Sequence, residues 1–152
     1  FLEEPDDARE VLGRRRLVEK SAIPIAADES APNMGEAARE ILTGGANLLC
    51  VKTARTGFTE SAKIVGFAQA AGVDVYVGNQ IDTQIGSVAS VVFGAAFEHT
   101  HRRAGELSNY LDMADDLIAR PLTIADGKIM VPDVPGVGTE PDLEKLAAHR
   151  DR

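Results

Sequence analysis

Short apolar runs alternate with amphipathic segments along the first two thirds of the chain. Four runs predict strands: FLE (1–3), IPIAA (23–27), NLLCVK (47–52) and VDVYVGN (73–79). A weaker fifth strand is predicted around RRAGELS (102–108). Nearly continuous apolar runs of this kind are typical of parallel strands that are covered on both faces.

Helical patterns occupy the segments between these runs. The i, i+3, i+4, i+7 spacing of one helix face is followed by Met34, Ala37, Ala38, Ile41 and Leu42. Gly44 supplies the stop of that helix. A second helix is predicted after Gly57, with Thr59 as its N-cap and Gly72 as its end, and a third over 87–97. Alternating strands and helices with short connections predict parallel strands joined by helical crossovers.

A polar side chain follows at the end of each apolar run. These residues are Glu3, Asp28, Lys52, Asn79 and Glu106, at intervals of 24 to 27 residues. A nearly constant interval of one strand and one helix places every such residue at the carboxyl end of a strand, on one face of the sheet. In a (β/α)8 barrel the chemistry lies on that face. The alternative is that Asp28 only marks a strand exit and begins a turn.

The number of strands indicates part of a TIM-type barrel. A full barrel has eight strands and about 250 residues, so residues 1–110 are predicted to supply strands four to eight, that is, its C-terminal half. Residues 111–152 then form a tail with a helical stretch at LDMADDLIA (111–119) and a two-stranded piece at 121–132. Because FLEEPDD opens without Met, in what reads as the end of a strand, an earlier part of the protein is expected.

Composition excludes several classes of partner. The chain has 152 residues, 44% of them apolar, and a net charge of −8, which argues against nucleic acid or an anionic membrane as partner. No apolar run approaches the roughly 18 residues of a membrane span. The only cysteine, Cys50, lies in a predicted buried strand. A reducing, cytoplasmic location is therefore expected.

Carboxylates on successive strands suggest a metal site. Glu3 and Asp28 offer hard oxygen ligands of the kind that Mg²⁺ and Mn²⁺ prefer. Lys52 should face the same opening, so a metal could stabilise an enolate oxyanion while an amine or ammonium moves the α-proton. Lys52 could instead be a surface lysine, or form an ion pair with Glu3 or Asp28.

Two other polar groups are interpreted as surface features. His99 and His101 form an H-x-H pair, but without a third ligand they are expected at the surface. Arg14, Arg15 and Arg16 are expected to form a solvated helix face because the chain as a whole is acidic.

Several motifs together resemble one family over nearly all of the chain. EEP after a strand, ADES, VKTARTGF, GELS and a closing DG…VP…PGVG resemble the muconate-lactonizing branch of the enolase superfamily. The phrases FLEEPDD, GNQID and GELSNYLDM are similar to the actinobacterial type of that branch. The resemblance implies the superfamily's modified (β/α)7β barrel.

The resemblance also implies a role for each strand-end residue. Glu3 and Asp28 would be ligands of Mg²⁺ or Mn²⁺, and Lys52 and Glu106 would be catalytic, in a superfamily that pairs a lysine or histidine base with Mg²⁺. The substrate side of the pocket would be formed by Glu29, Asn79 and Gln80. GNQID departs from the pseudomonad-type sequence after strand seven, and so leaves pocket shape and stereochemistry open.

The implied reaction is the metal-dependent cycloisomerisation of cis,cis-muconate to muconolactone through a metal-stabilised enolate, in aromatic catabolism. The implied partners are a small dicarboxylate substrate and the missing N-terminal half, which would carry a third metal ligand, the strand-two lysines and a capping domain. A homo-oligomer is expected for the intact protein.

Two alternatives to this reaction stay open. One is another superfamily reaction, such as that of a racemase, an epimerase or o-succinylbenzoate synthase. GELS lacks the DxD expected of dipeptide epimerases, and VGN lacks the histidine of a mandelate-racemase-type dyad. The other alternative is a half-barrel that is inactive by itself.

Overall fold

A parallel four-stranded sheet forms the centre of the computed structural model, which describes residues 1–150. The strands are β1 (Leu2–Glu3), β2 (Ile25–Ala27), β3 (Leu48–Val51) and β4 (Asp74–Val77). Strands adjacent in sequence are adjacent in the sheet, and every pairing is parallel. The predicted succession of parallel strands with helical crossovers is confirmed for these four strands.

A helix follows each strand. The helices are α1 (Val11–Lys20), α2 (Met34–Thr43), α3 (Thr53–Ala71) and α4 (Gln84–Ala95). α2 has the expected signals: the Asn33 side chain accepts the Glu36 N–H at 3.0 Å, and Gly44 ends the helix at φ 71°.

Two helix starts differ from the prediction. An extra helical turn (53–56) precedes Gly57, but the φ of 66° and ψ of 169° at Gly57 are not helical, so a helical segment does begin after Gly57 as predicted; Thr59 lies inside that segment and does not cap it. α4 begins three residues before the predicted Ser87. None of the helices in residues 1–150 has the length and apolar character needed to cross a membrane.

Alternate residues along the strands pack into two separate layers. Leu49, Val51, Val75 and Val77 point toward the helices and form the main core with Ile64, Val65, Ala68 and Phe93. The intervening residues Ala26, Leu48, Cys50 and Tyr76 form a smaller buried cluster. Because successive strand residues point to opposite faces, this smaller cluster lies on the face of the sheet that the helices do not cover.

The predicted fifth strand does not form. A 3₁₀ helix (Glu98–Arg102) precedes the segment, and residues 103–108 are irregular. The Glu106 N–H donates to the Val77 carbonyl at 2.9 Å, so the segment passes the carboxyl end of β4 without extending the ladder. The segment contains glycine and several charged residues, which are unfavourable in strands, and Arg103 pairs with Asp74 at 2.8 Å.

The predicted tail helix at 111–119 is also wrong. A 3₁₀ helix (Asn109–Asp112) is the only helical turn there. The Asp115 and Asp116 carboxylates accept the main-chain N–H groups of Asp116 and Leu117, both at 2.7 Å. Aspartate side chains that bond to nearby main chain compete with the helical hydrogen bonds in this way.

The predicted hairpin is confirmed. β5 (Ile124–Ala125) and β6 (Lys128–Ile129) pair antiparallel around Asp126 and Gly127, whose φ angles are 51° and 70°. Two positive φ values are the mark of a type I′ turn, for which Asp-Gly is a preferred sequence. A short helix that was not predicted, α5 (Leu143–Ala148), follows with Asp142 as its N-cap. The last two residues of the predicted tail, 151–152, lie outside the described range.

Two polar groups expected at the surface are buried. Arg14 on α1 is 0% exposed, whereas Arg15 and Arg16 are exposed as predicted. His99 is buried, and its Nε2 lies 2.9 Å from the Val73 carbonyl oxygen, so this ring is part of the packing; His101 is exposed.

Candidate metal and catalytic site

The carboxyl ends of the strands bring the predicted polar residues to one edge of the sheet. Glu3 is the last residue of β1, Asp28 and Lys52 directly follow β2 and β3, and Asn79 comes two residues after β4. Because the strands are parallel and their registers are aligned, these positions share the edge of a parallel sheet that usually carries chemistry.

Asp28 is held between two cations. Lys52 Nζ donates to Asp28 Oδ2 at 2.5 Å, and Arg55 Nη1 donates to Oδ1 at 2.8 Å. Arg55 Nη2 also donates to the Cys50 carbonyl at 3.1 Å, which fixes the guanidinium. The ion pair between Lys52 and Asp28 was one of the alternatives open from the sequence, and the structure contains it.

The two cations decide the protonation state of this group. Burial would raise the pKa of Asp28, but the hydrogen bonds from Lys52 and Arg55 bring it below the ordinary aspartate value. Burial would likewise lower the pKa of Lys52, and the hydrogen bond to Asp28 raises it above the ordinary lysine value. The pair is therefore a carboxylate and an ammonium.

The pKa of Glu3 is shifted in the opposite direction from that of Asp28. Partial burial raises the pKa of the Glu3 carboxyl, and the negative charges of Asp28 and Glu106 raise it further. Glu106 is exposed and lies close enough to influence Glu3, although the strand predicted to carry it is absent. The structure therefore brings Glu3, Asp28 and Lys52 together, with Glu106 beside them.

The oxygen atoms of this cluster fit a divalent cation. Ligand atoms of Glu3, Asp28 and Cys50 lie within 4.8 Å of one another. Each Asp28 oxygen accepts one hydrogen bond and keeps a further lone pair. Burial raises the pKa of the Cys50 thiol, and a soft sulfur ligand is not of the kind that Mg²⁺ or Mn²⁺ prefers. The remaining hard oxygen ligands suit Mg²⁺ or Mn²⁺.

The three residues assigned to the substrate side lie outside this cluster. Asn79 is buried, and its Nδ2 donates to Ser87 Oγ on α4 at 2.6 Å, while its Oδ1 has no partner. Glu29 and Gln80 are exposed, and the Gln80 N–H donates to Asp82 Oδ2 at 3.1 Å. Their contact with a substrate stays a prediction.

Three residues of the site were not selected from the sequence. Arg55 lies three positions after Lys52, so the start of α3 brings it back toward Asp28; this spacing was a usable signal. Glu4 accepts the Asp28 N–H at 2.7 Å. A Cβ at Gly78 would lie 2.5 Å from Cys50 Sγ and 3.1 Å from Lys52 Cε, so only glycine leaves room for the lysine side chain.

The loop after β4 is tied to the tail. The Gln84 N–H at the start of α4 donates to Asp116 Oδ2 at 2.9 Å, and Gln84 Oε1 accepts the Leu122 N–H. These bonds anchor the end of the loop that contains Asn79 and Gln80 to two points of the tail.

Comparison with known proteins gives one family. Residues 1–146 match the family described as "Enolase C-terminal domain-like". Muconate cycloisomerase 1 of Rhodococcus opacus is 32% identical over 144 residues, which cover 93% of this chain and 38% of that protein. N-succinylamino acid racemase of an Amycolatopsis species is 29% identical, over 96% of this chain and 39% of that protein.

Solved structures agree with this match. The structure of muconate lactonizing enzyme from Mycobacterium smegmatis in complex with muconolactone superposes with a TM-score of 0.91 at 51% identity, over 96% of this chain and 40% of that one. The chain thus spans about 40% of the length of the relatives it matches. It belongs to the Enolase C-terminal domain-like family, the TIM-barrel part of the enolase superfamily.

Proposed function

We propose that the protein carrying this chain converts cis,cis-muconate to muconolactone, with Glu3 and Asp28 holding a divalent metal ion. The observation that carries the proposal is the meeting of Glu3, Asp28 and Lys52 at one edge of the sheet. The 51% identity to a muconate lactonizing enzyme supports the choice of this substrate.

A metal bound by the Glu3 and Asp28 carboxylates would stabilise the negative charge that develops on the substrate carboxylate. The two ligands come from adjacent strands and face one opening, so a dicarboxylate substrate would present one carboxylate to them. Partial burial and the charges of Asp28 and Glu106 raise the pKa of Glu3, and a divalent cation bound there would stabilise its carboxylate form.

The reaction is an intramolecular addition followed by protonation. An oxygen of the distal carboxylate forms a bond to one alkene carbon, and the π electron pair moves toward the carbon beside the other carboxylate. That carbon then takes one proton, so the product is an isomer of the substrate and no oxidant or reductant is needed.

Lys52 acts on this charge as a fixed ammonium. Its pKa is raised by the hydrogen bond to Asp28, and its side chain packs closely against Gly78. A preorganised cation in a site shielded from water stabilises developing negative charge without reorganisation. Glu106 is assigned to the rim of the substrate opening beside Glu3, and Glu29, Asn79 and Gln80 to its outer wall.

A second candidate keeps the same residues and changes the substrate. The match to an N-succinylamino acid racemase over 96% of the chain favours a reaction that exchanges an α-proton. In a racemase both faces of the substrate exchange protons, so Lys52 would have to give up its proton and not only provide charge.

A substrate panel separates the two candidates. The native protein, expressed from its own gene, is assayed with cis,cis-muconate beside N-acylamino acids and dipeptides in the presence of Mg²⁺ or Mn²⁺. We expect muconolactone with solvent hydrogen on a single face, and we expect chelation to abolish turnover reversibly. Turnover of the panel with muconate untouched would place the protein in another branch of the superfamily.

A further inference from the structure

Glu4, the second acid of EEP, turns its carboxylate away from its neighbour Glu3 and bonds to the end of β2. Its Oε2 accepts the Asp28 N–H at 2.7 Å, the Ser30 N–H at 3.1 Å and the Ser30 hydroxyl at 3.0 Å. One oxygen of Glu4 thus binds the main chain of a proposed metal ligand on the adjacent strand.

The Glu4 carboxylate replaces a main-chain acceptor at the end of the β1–β2 ladder. The Leu2 and Glu4 N–H groups donate to the Pro24 and Ala26 carbonyls at 2.9 and 3.0 Å. In an unbroken parallel ladder, the next hydrogen bond would run from the Asp28 N–H to the Glu4 carbonyl. Glu4 has a φ of 40°, which breaks the ladder, and its side-chain oxygen takes the place of that carbonyl.

A buried arginine holds Glu4 from the other side. Glu4 Oε1 pairs with Nη1 of Arg14, which is 0% exposed, and Arg14 Nε donates to Glu40 Oε2 at 3.0 Å. Glu40 is also 0% exposed, and Arg39 holds its other oxygen at 2.9 Å. We call Glu4, Arg14, Ser30 and Glu40 the Glu4 clamp.

The backbone at Glu4 needs this support. A non-glycine residue with positive φ is sterically unfavourable and persists only where the surroundings fix it. Successive side chains at the end of β1 point to opposite sides, so Glu3 faces Asp28 and Lys52 while Glu4 faces Arg14.

We propose that Glu4 is a positioning residue that sets the separation of the Glu3 and Asp28 carboxylates. It ties the end of β1 to the Asp28 main chain, and the buried charge of Arg14 keeps its carboxylate in place. The inference rests on the proposed function, in which Glu3 and Asp28 are the metal ligands.

The role requires a carboxylate in particular. The Asp28 and Ser30 N–H groups and the Arg14 guanidinium are all donors, so both oxygens of residue 4 must accept. Glutamine has nearly the same shape, but its NH₂ group would face a donor on one side or the other.

The test is Glu4→Gln in the native protein, with Mn²⁺ affinity measured by calorimetry in the absence of substrate. We expect the Mn²⁺ dissociation constant to rise about 10- to 100-fold, the usual loss when a group that orients metal ligands is changed. The matched control is Glu19→Gln, which removes the same charge from an exposed pair with Arg15 and should bind Mn²⁺ like the native protein.

A rescue separates positioning from general damage. In Glu4→Gln/Arg14→Met the glutamine oxygen can accept the Asp28 and Ser30 N–H groups with no guanidinium opposite its NH₂, and Glu40 keeps its pair with Arg39. We expect this double variant to recover most of the lost Mn²⁺ affinity. Equal weakness of the single and double variants would contradict the part assigned to Arg14.

A milder change covers the case in which Glu4→Gln does not fold. Ser30→Ala removes one of the three donors to Glu4 Oε2 and should weaken Mn²⁺ binding roughly threefold, as expected for one hydrogen bond. Native Mn²⁺ affinity in folded Glu4→Gln, or in Ser30→Ala if the first variant is unfolded, would overturn the inference.

The outcome is independent of the reaction. If the native protein binds Mn²⁺ and leaves muconate untouched, the proposed reaction fails, and a weaker Mn²⁺ affinity in Glu4→Gln would still support the clamp. If muconate is converted and Glu4→Gln binds Mn²⁺ like the native protein, the clamp fails and the reaction stands.

Discussion

Two adjacent glutamates at the end of β1, Glu3 and Glu4, belong to two clusters of charged groups with different partners. Glu4 lies in the clamp, where its two oxygens accept four hydrogen bonds and its counter-charge Arg14 is fully buried. Glu3 lies in the site cluster with Asp28, Lys52 and Arg55. It is only partly buried, and this partial burial and the neighbouring acids raise its pKa.

The different partners of Glu3 and Glu4 suggest different roles, with Glu4 stabilising the fold and Glu3 taking part in the chemistry. A buried ion pair whose members are hydrogen-bonded is costly to break, because removing one partner leaves an uncompensated charge in the interior. Glu3, in contrast, has no ion pair of its own among the described residues and stands beside Asp28 and Glu106, so its carboxylate can accept a metal cation. We therefore expect changes in the clamp to act mainly on folding, with an indirect effect on metal affinity, and changes in the site cluster to act directly on metal binding and turnover.

The largest expected effect on the site side is that of Lys52→Met. Loss of one preorganised donor should lower muconate turnover by about 10²–10³-fold, while the protein remains folded because the Arg55 pair with Asp28 is kept. Steady-state kinetics at saturating Mg²⁺ measure it, with the exposed Lys63→Met on α3 as control. A turnover within a factor of three of the native rate would remove Lys52 from the mechanism.

The corresponding change on the clamp side is Arg14→Met. It leaves Glu4 without its counter-charge, so the free energy of unfolding should fall by about 3 kcal/mol. Arg15→Met, one position along the same helix and exposed, should change it by no more than about 0.5 kcal/mol. Urea unfolding of the two variants gives the contrast, and equal stability would mean that the burial of Arg14 contributes nothing.

Gly78→Ala tests the space that Lys52 occupies. The new methyl group would meet Cys50 Sγ and Lys52 Cε, so we expect a loss of about 1–3 kcal/mol in stability. Displacement of the lysine should also lower turnover by at least about tenfold. Gly66→Ala is the matched control: nothing lies within 4 Å of its Cβ, and alanine is favoured over glycine within a helix. A Gly78→Ala enzyme with native turnover would contradict the positioning of Lys52.

The smallest expected effect is on the acid sensitivity of the metal-free protein. The pKa of Asp28 is lowered by Lys52 and Arg55 against the effect of burial, so its contribution to stability is present above the ordinary aspartate pKa of about 3.9 and is lost as pH falls through the lower folded value. Asp28→Asn should therefore lose less stability than the native protein over that acid range.

Glu3→Gln should lose more stability than the native protein as pH falls over the acid range. The raised pKa of Glu3 means that its protonated form stabilises the fold below the ordinary glutamate pKa, a contribution lost as pH rises through the folded value. Melting temperatures measured in chelator across the acid range test both variants. Parallel pH profiles for the two would contradict the opposite settings of these two carboxylates.

The strand-end residues were predictable because chain connectivity and parallel pairing already place them. A regular interval from Glu3 to Asn79 needs only one strand and one helix per repeat, and each such unit formed. The same interval failed at Glu106, where glycine and charged residues outweighed the periodicity. In the tail, the side chains of Asp115 and Asp116 bond to nearby main chain in place of the helix predicted at 111–119.

The clamp could not be read from local pattern. Arg14 is a charged residue in a run of three arginines, and its burial depends on Glu40, which is 26 positions away in sequence, and on the bend at Glu4. Arg55 was within reach of prediction because it lies one helical turn beyond Lys52. Burial of a charge is decided by partners brought together only in the folded chain, whereas the end of a strand is decided by the strand itself.

The two hydrogen bonds of Gln84 have a consequence for recombination between related proteins. The loop of residues 79–83, which follows β4, ends at a residue whose main chain and side chain are bonded to Asp116 and Leu122. An exchange of residues 79–84 alone would keep the main-chain bond to Asp116 but would leave the Leu122 N–H of the recipient tail facing an unrelated side chain. A graft that carries residues 79–122 as one block keeps both anchors, so loop and tail are expected to be inherited together when substrate preference changes.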